Sequence, residues 1–202
     1  MRIAILGATP LAASLAHKFL KAGLQVSVGV RPDFIPESTT WKLLHMQVGS
    51  CLSYSEACKE ADMVFLCTEN TQLDNIVKSL QELRPLAIVD STNAGYKNCI
   101  PCNTTHLQER LPKHQLYKAF NNLGIDYPQN DRLGLLNETY FCGPEGQTKE
   151  RLKRLISCIG FHPIDAGGLE HADLLEAFYH LRSKIAERKQ DQAQCHFKLI
   201  SH

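Results

Sequence analysis

Arg2-Ile-Ala-Ile-Leu6 runs into Gly7-Ala-Thr-Pro-Leu-Ala12, a helical pattern continues to Ala22-Gly23, and Leu24-Gln-Val-Ser-Val-Gly-Val-Arg31 follows. This order of apolar run, glycine turn, helix and second apolar run is the opening unit of a dinucleotide-binding fold. In the pattern G-x-G-x-x-G/A, the first glycine allows a tight turn and the second lets backbone approach a pyrophosphate. The third lets helix and strand pack closely. Gly7 and Ala12 supply the first and third functions, but Thr9 stands in the second place and Pro10 has no N–H. Proline suits a first helical position, so the helix itself is unharmed. The lost charge-assisted hydrogen bond costs about 1.5–3 kcal/mol, roughly ten- to hundredfold in affinity. The Thr9 hydroxyl is placed to recover part of that. Alone, the turn reads equally well as a plain strand–turn–helix or as a nucleotide site.

Arg31 tilts the reading. It lies just past the second strand, where NAD-binding proteins carry an acidic residue for the ribose hydroxyls. Val30 and Arg31 take that place here, and a guanidinium suits a 2′-phosphate through paired donors. An exposed arginine at a strand end is the plain alternative. With the glycine turn at the right distance, NADP is favoured over NAD.

The rest of the chain repeats the alternation. Pro32 to Pro36 reads as a loop, Ser38 to His45 is ambiguous, and Gln47-Val48 reads as a short strand. Ser53-Tyr-Ser-Glu56 is a capping box that opens a short helix through Glu60. Asp62-Met-Val-Phe-Leu-Cys67 is a continuous apolar run of the kind buried on both faces of a parallel sheet. Asn70 to Leu83 carries a helical face at Leu73, Ile76, Val77 and Leu80. Pro85 ends it, and Leu86-Ala-Ile-Val-Asp90 is the next strand. Further helices are expected at Thr105 to Leu111, Glu145 to Ile159 and Leu169 to Ala186. Further strands are expected at Gln115 to Phe120, Thr139 to Cys142 and Phe161 to Asp165. A long loop joins Asn121 to Asn137, a length that is usually functional. The pattern predicts an α/β, Rossmann-like, doubly wound and mostly parallel sheet in one domain, residues 1–186. Residues 187–202 are polar and aperiodic and predict a disordered tail.

Composition excludes several classes. Over 202 residues there are 22 basic and 21 acidic side chains, a formal charge of +1. That balance offers no stripe for nucleic acid and no polybasic membrane arm. No apolar run approaches the ~20 residues of a membrane span. The start is strand-like rather than a signal peptide. The eight cysteines fall mostly in apolar segments, without the spacing of a secreted scaffold, which favours a reducing, cytoplasmic setting. Cys99-Ile-Pro-Cys102 has no second pair and reads as chance spacing rather than a redox or metal site. The histidines are scattered, and His171 near Asp173 and Glu176 reads as surface. Asp165 is expected to hold backbone donors at the Gly167 turn. No residue reads as a catalytic acid, base or metal ligand.

At this point the sequence resembles a family. Val28-Gly29-x-Arg31, Leu52-Ser-Tyr-Ser-Glu-Ala57, Val89-Asp90 with Asn93, Tyr117-Lys118-Ala119-Phe120-Asn121, Cys142-Gly143 and Asp165-x-Gly167-x-Leu169-x-x-Ala172-x-x-x-Glu176 resemble the oxidoreductase domain of the STEAP metalloreductases. More distantly, they resemble the deazaflavin-dependent NADP reductases. The Lys-Ala-Phe-Asn and Asp-x-Gly-x-Leu elements are the specific ones. The resemblance implies a domain that binds NADPH and passes hydride to a flavin (FAD or FMN), whose electrons reach ferric or cupric ion through a haem-bearing membrane part. By position, Gly7, Ala8, Thr9, Pro10 and Leu11 would face the pyrophosphate, and Val30 and Arg31 the 2′-phosphate. Cys67 and Thr68 would line the crevice. Asn93, Lys118, Ala119, Phe120 and Asn121 would surround the nicotinamide.

The sequence also departs from that family. Thr9 replaces a glycine, Val30 a serine, and Glu69-Asn70 a His-Arg pair. The aromatic residue expected shortly after Asn121 is absent, with Asp126 near its place. The chain stops where a first membrane helix would follow, so a membrane-protein partner or a homodimer is expected to cover the flavin side. The alternative is a degenerate, non-catalytic NADP(H)-binding or protein-interaction module. Dehydrogenation of the imine-reductase kind rests on the shared fold unit alone.

Overall fold

The computed structural model describes residues 1–98, 101–189, 196–197 and 200. Its sheet has seven strands in the order β2-β1-β3-β4-β5-β6-β7. These are β1 (Arg2–Leu6), β2 (Gln25–Gly29), β3 (Met63–Leu66), β4 (Ala87–Asp90), β5 (Gln115–Ala119), β6 (Glu138–Cys142) and β7 (His162–Asp165). The first five run parallel. β6 pairs antiparallel with β5, and β7 is parallel to β6. The fold is the Rossmann-like, mostly parallel sheet that the alternation predicts.

The helices are α1 (Pro10–Lys21), α2 (Thr39–Val48), α3 (Tyr54–Cys58), α4 (Leu73–Gln81), α5 (Asn103–Arg110), α6 (Gln147–Cys158) and α7 (Ala172–Glu187). Strand side chains alternate between the faces of a sheet, and the core divides accordingly. Ile3, Ile5, Met63 and Phe65 pack with α1, α2 and α6 on one face. Ala4, Leu6, Val64 and Leu66 pack with α3, α4 and α5 on the other. All four residues of β3 are buried, as a strand covered on both faces requires.

The expected strand at Gln47-Val48 is instead the last turn of α2. Ser38 caps this helix, its hydroxyl accepting the Trp41 N–H at 3.3 Å. Trp41 and Leu44, three residues apart, are its buried contacts, and Gly49 at φ 84° ends it. The extended pairing beside β2 falls later, at Leu52, which bridges Gly29. Its N–H donates to the Val28 carbonyl, and its carbonyl accepts from Val30, both at 2.9 Å. The expected helix from Asn70 to Leu83 opens with a 3-10 turn over Asn70–Gln72 before α4 begins. The capping box forms, with Ser53 and Glu56 bonded reciprocally.

Most of the expected polar tail, and Cys99 of the Cys-x-x-Cys pair, lie outside the described residues. Among the described residues no helix is long and apolar enough to cross a membrane.

Candidate functional site

The sheet order steps outward from β1 in both directions. The loops after β1 and β3 therefore diverge and leave a crevice at the carboxyl ends, where open α/β sheets bind ligands. Gly7 ends β1 at φ 131°, and a Cβ there would lie 2.1 Å from the Cys67 carbonyl oxygen. Only glycine lets the β1 turn close so tightly on the chain leaving β3. Ala12 is fully buried where the third glycine would pack.

The Thr9 hydroxyl is turned to the protein rather than offered to a ligand. It donates to the Cys67 carbonyl at 2.8 Å and accepts the Ala12 N–H at 3.2 Å. Thr9 is the N-cap of α1, so the expectation that it compensates for a lost phosphate donor meets a hydroxyl already engaged on both sides. Pro10 follows as the first helical residue, and the Leu11 N–H donates to the Ile125 carbonyl at 3.0 Å.

Val30 is buried in the core, whereas the Arg31 side chain is 43% exposed. Asp33 binds the Arg31 Nε at 3.0 Å. Arg31 stands between two sections of the crevice. An outer chamber of about 320 Å³ is lined by Ala8, Phe34, Ser38 and Trp41. A recess of about 20 Å³ is lined by Ala8, Thr9, Tyr54, Thr68, Glu69 and Gln72. Thr68 and Glu69 continue into an inner chamber of about 420 Å³, walled by Asn93, Tyr96, Ile125, Tyr179, His180 and Lys184. The Cys67 thiol is buried beneath this floor, and burial pushes its pKa up to about 12, so it is a packing group rather than a nucleophile.

The residues expected around the nicotinamide divide. Asn93 reaches the inner chamber. Its amide donates to the Asn121 carbonyl at 3.1 Å, and the Asn121 amide donates to Asn93 Oδ1 at 3.3 Å and to the Leu175 carbonyl at 2.9 Å. Asn121 is thus a buried brace behind Asn93. Phe120, just before it, sits at φ 65°, a left-handed conformation costing a non-glycine residue of order 1–3 kcal/mol. Burial against Phe65 and Phe161 holds it there, with its N–H donated to Thr139 Oγ1 at 3.1 Å.

Lys118 and Ala119 are fully buried and reach neither chamber. The Lys118 ammonium binds Asp90 Oδ2 at 3.0 Å, Glu176 Oε1 at 2.7 Å, the Thr92 carbonyl at 3.0 Å and Thr104 Oγ1 at 3.1 Å. Burial by itself would lower its pKa, but the facing Asp90 and Glu176 carboxylates outweigh it and hold the ammonium above its ordinary range. Glu176 also accepts the Ala94 N–H at 2.8 Å and the Asn103 N–H at 3.2 Å. The specific Lys-Ala-Phe-Asn element therefore fastens α7 against the ends of β4 and β5, and α7 in turn walls the inner chamber.

That wall was not identified from the sequence. Glu176, Tyr179, His180, Ser183 and Glu187 recur at helical spacing along one side of α7, the polar stripe that marks it. His180 is 9% exposed, and its Nε2 is buried without a hydrogen-bond partner among the described residues. Burial lowers its pKa, so the ring is neutral near pH 7. Lys184 lies 4.7 Å over the Tyr96 ring and pairs with Glu187 at 2.7 Å. Away from the crevice, Asp165 accepts the Gly167 N–H at 2.8 Å, as expected for that turn. His171 binds the Ala166 carbonyl at 2.6 Å. Among the described residues no cluster of His, Cys, Asp and Glu could hold a metal ion.

Known proteins agree with this picture. Residues 2–94 match the family "NADP oxidoreductase coenzyme F420-dependent". Metalloreductase STEAP3 of Rattus norvegicus is 24% identical over 179 residues, covering 87% of this chain and 36% of the relative, so the chain spans about a third of that relative's length. A structure from Arthrobacter sp. FB24, assigned as an F420-dependent NADP-reductase, superposes with a TM-score of 0.77 at 16% identity, covering 98% of this chain and 99% of the other. A reductive aminase from Aspergillus terreus in complex with NADPH4, cyclohexanone and allyl amine gives 0.66 at 15% identity, over 92% of this chain and 61% of that one. These solved structures share the fold. The chain is thus similar to an NADP oxidoreductase family over residues 2–94, and to a metalloreductase relative over most of its own length, on a fold that NADP reductases share.

Proposed function

We propose that the crevice binds NADP(H), with the adenosine 2′-phosphate at Arg31 and the nicotinamide toward Asn93 and Thr68, and that the domain passes hydride to a flavin in the inner chamber. The observation that carries this reading is the placement of Arg31. Asp33 engages its Nε, and among the described residues nothing binds its two terminal amino groups, which face a chamber edged by Phe34 and Trp41. A forked pair of donors beside aromatic side chains suits a phosphorylated adenosine.

When bound, NADPH supplies a hydride, and an oxidised flavin takes up that electron pair. The protein's part is to align the rings and keep water out. Asn93, fixed by Asn121, orients one end of the inner chamber, and Tyr96 and Tyr179 offer aromatic walls to a planar acceptor. Ferric or cupric ion as the eventual acceptor is suggested by the metalloreductase relative. Exposed Leu174, Leu181 and Ile185 form an apolar face of α7, turned away from the chamber-lining Tyr179 and Ser183, that suits a membrane partner or a second copy.

Titration calorimetry with NADPH and NADH, followed by NADPH oxidation with added FAD or FMN, tests this. NADPH should bind more tightly than NADH, and Arg31→Ala should remove that preference, a loss of roughly ten- to hundredfold. Equal binding of both cofactors by the unmodified protein refutes the Arg31 assignment. The occupied Leu11 amide favours a second reading, a non-catalytic relative. Absence of NADPH binding at millimolar concentration selects it.

A further inference from the structure

The start of α1 is where a dinucleotide fold holds its diphosphate, on amides of the first turn at the positive end of the helix. Here that turn is taken. Pro10 has no N–H, the Leu11 N–H is on the Ile125 carbonyl at 3.0 Å, and the Ala12 N–H is on Thr9 Oγ1 at 3.2 Å. A carbonyl oxygen of the chain's own loop thus stands where a phosphate oxygen would meet the Leu11 amide. The crevice narrows at the same place. A recess of about 20 Å³, room for about one water molecule, shares Ala8 and Arg31 with the outer chamber of about 320 Å³ and Thr68 and Glu69 with the inner one of about 420 Å³. Glu69 lines that recess, and its carboxylate opposes an anion there.

The segment carrying this carbonyl belongs to no strand or helix and is anchored in the core by Tyr127, which is 6% exposed. Gly124 enters it at φ 77°, and the Tyr127 N–H returns to the Gly124 carbonyl at 3.2 Å. The Tyr127 ring packs on Phe161 at 5.8 Å between centroids. The Asn130 amide tethers the segment by donating to the Leu123 carbonyl at 2.6 Å.

We infer that Gly124–Tyr127 is a strap closed over the diphosphate position, and that a dinucleotide enters only when the Ile125 carbonyl leaves the Leu11 amide. This rests on the NADP(H) reading above. The strap and the diphosphate compete for one donor, so the open form is the binding form, and apparent affinity is reduced by the fraction of molecules that are open. Loosening the strap raises that fraction without touching a ligand contact.

The test compares the unmodified protein with Asn130→Ala, and with Asn130→Asp as a second variant that loses the donor at similar size. Trp41, the single tryptophan, lines the outer chamber and reports NADPH binding by fluorescence quenching in stopped flow. Inorganic pyrophosphate is the second probe, read by calorimetry. Loss of the tether should raise NADPH and pyrophosphate affinity about tenfold, chiefly through faster association. The Leu11 amide should be protected from hydrogen exchange in the ligand-free protein. NADPH binding with the same rate and affinity in all three proteins, or an unprotected Leu11 amide, overturns the strap while leaving the NADP(H) reading intact. Gain of pyrophosphate binding in the variants without NADPH binding to any protein sustains the strap and overturns the NADP(H) reading. Binding of neither probe to any of the three overturns both.

Discussion

Lys118→Met exposes what holds the inner chamber together. The methionine keeps the length and apolar stem of the lysine but leaves Asp90 and Glu176, both fully buried, without a cation between them. Removing one partner of a buried ion pair costs about 3–5 kcal/mol, a large share of the 5–15 kcal/mol that domains typically possess. With an unfolding entropy of about 2.1 cal/mol/K per residue over 202 residues, a 4 kcal/mol loss lowers Tm by roughly 10 °C. Thermal melts measure it. A variant within about 1 kcal/mol of the parent would show that the cluster is not an ion-paired fastening.

Gly7→Ala should lower stability by about 2–6 kcal/mol, combining overpacking with a strained backbone, because its Cβ would run into the Cys67 carbonyl. A change below 1 kcal/mol in denaturant unfolding refutes the close approach. Thr9→Gly restores the usual glycine but loses the hydroxyl bonds to Cys67 and Ala12, and should cost about 1 kcal/mol. Calorimetry should find no gain in NADPH affinity for it, and a tenfold gain would contradict the blocked Leu11 amide. Burial lowers the His114 and His180 pKa values below the ordinary 6.5, and His114 Nδ1 accepts the Leu86 N–H at 3.2 Å. On acidification the unfolded chain then binds protons first, so stability is full above pH 6.5 and falls as pH drops toward the folded values. The fall in Tm between pH 7 and 5.5 should flatten in His114→Asn, which keeps an acceptor but does not titrate, and an unchanged slope counts against the assignment.

Elements with a full period or a continuous apolar run were legible in the sequence. β3 is four buried residues in a continuous apolar run that opens after Asp62, and α4 carries Ile76, Val77 and Leu80 on one face. α2 was not legible because it buries only Trp41 and Leu44, too few to set a period. Its cap and its closing glycine were the signals available. The position of Arg31 at the crevice was legible, because it depends on local chain distance from the glycine turn. The role of Lys118 was not, since its partners come from Asp90 and Glu176, far apart in sequence. The Ile125 contact is made by a backbone carbonyl, which every residue has, and no residue type marks it.

The buried cluster also has a consequence for the order in which the chain is made. Asp90 leaves the ribosome before Lys118, and Glu176 follows after most of the sheet has been synthesised. Chains fold from the amino end as they emerge, so the first five strands can assemble while the Lys118 ammonium still lacks one of its two carboxylates and the Ala94 and Asn103 amides lack their acceptor. Residues 2–94, the part that matches the reductase family, hold only one of the three charges. A nascent or truncated chain ending before α7 would carry the nucleotide turn and Arg31 but have no fastened wall. The crevice is thus completed by α7, after its first half already exists.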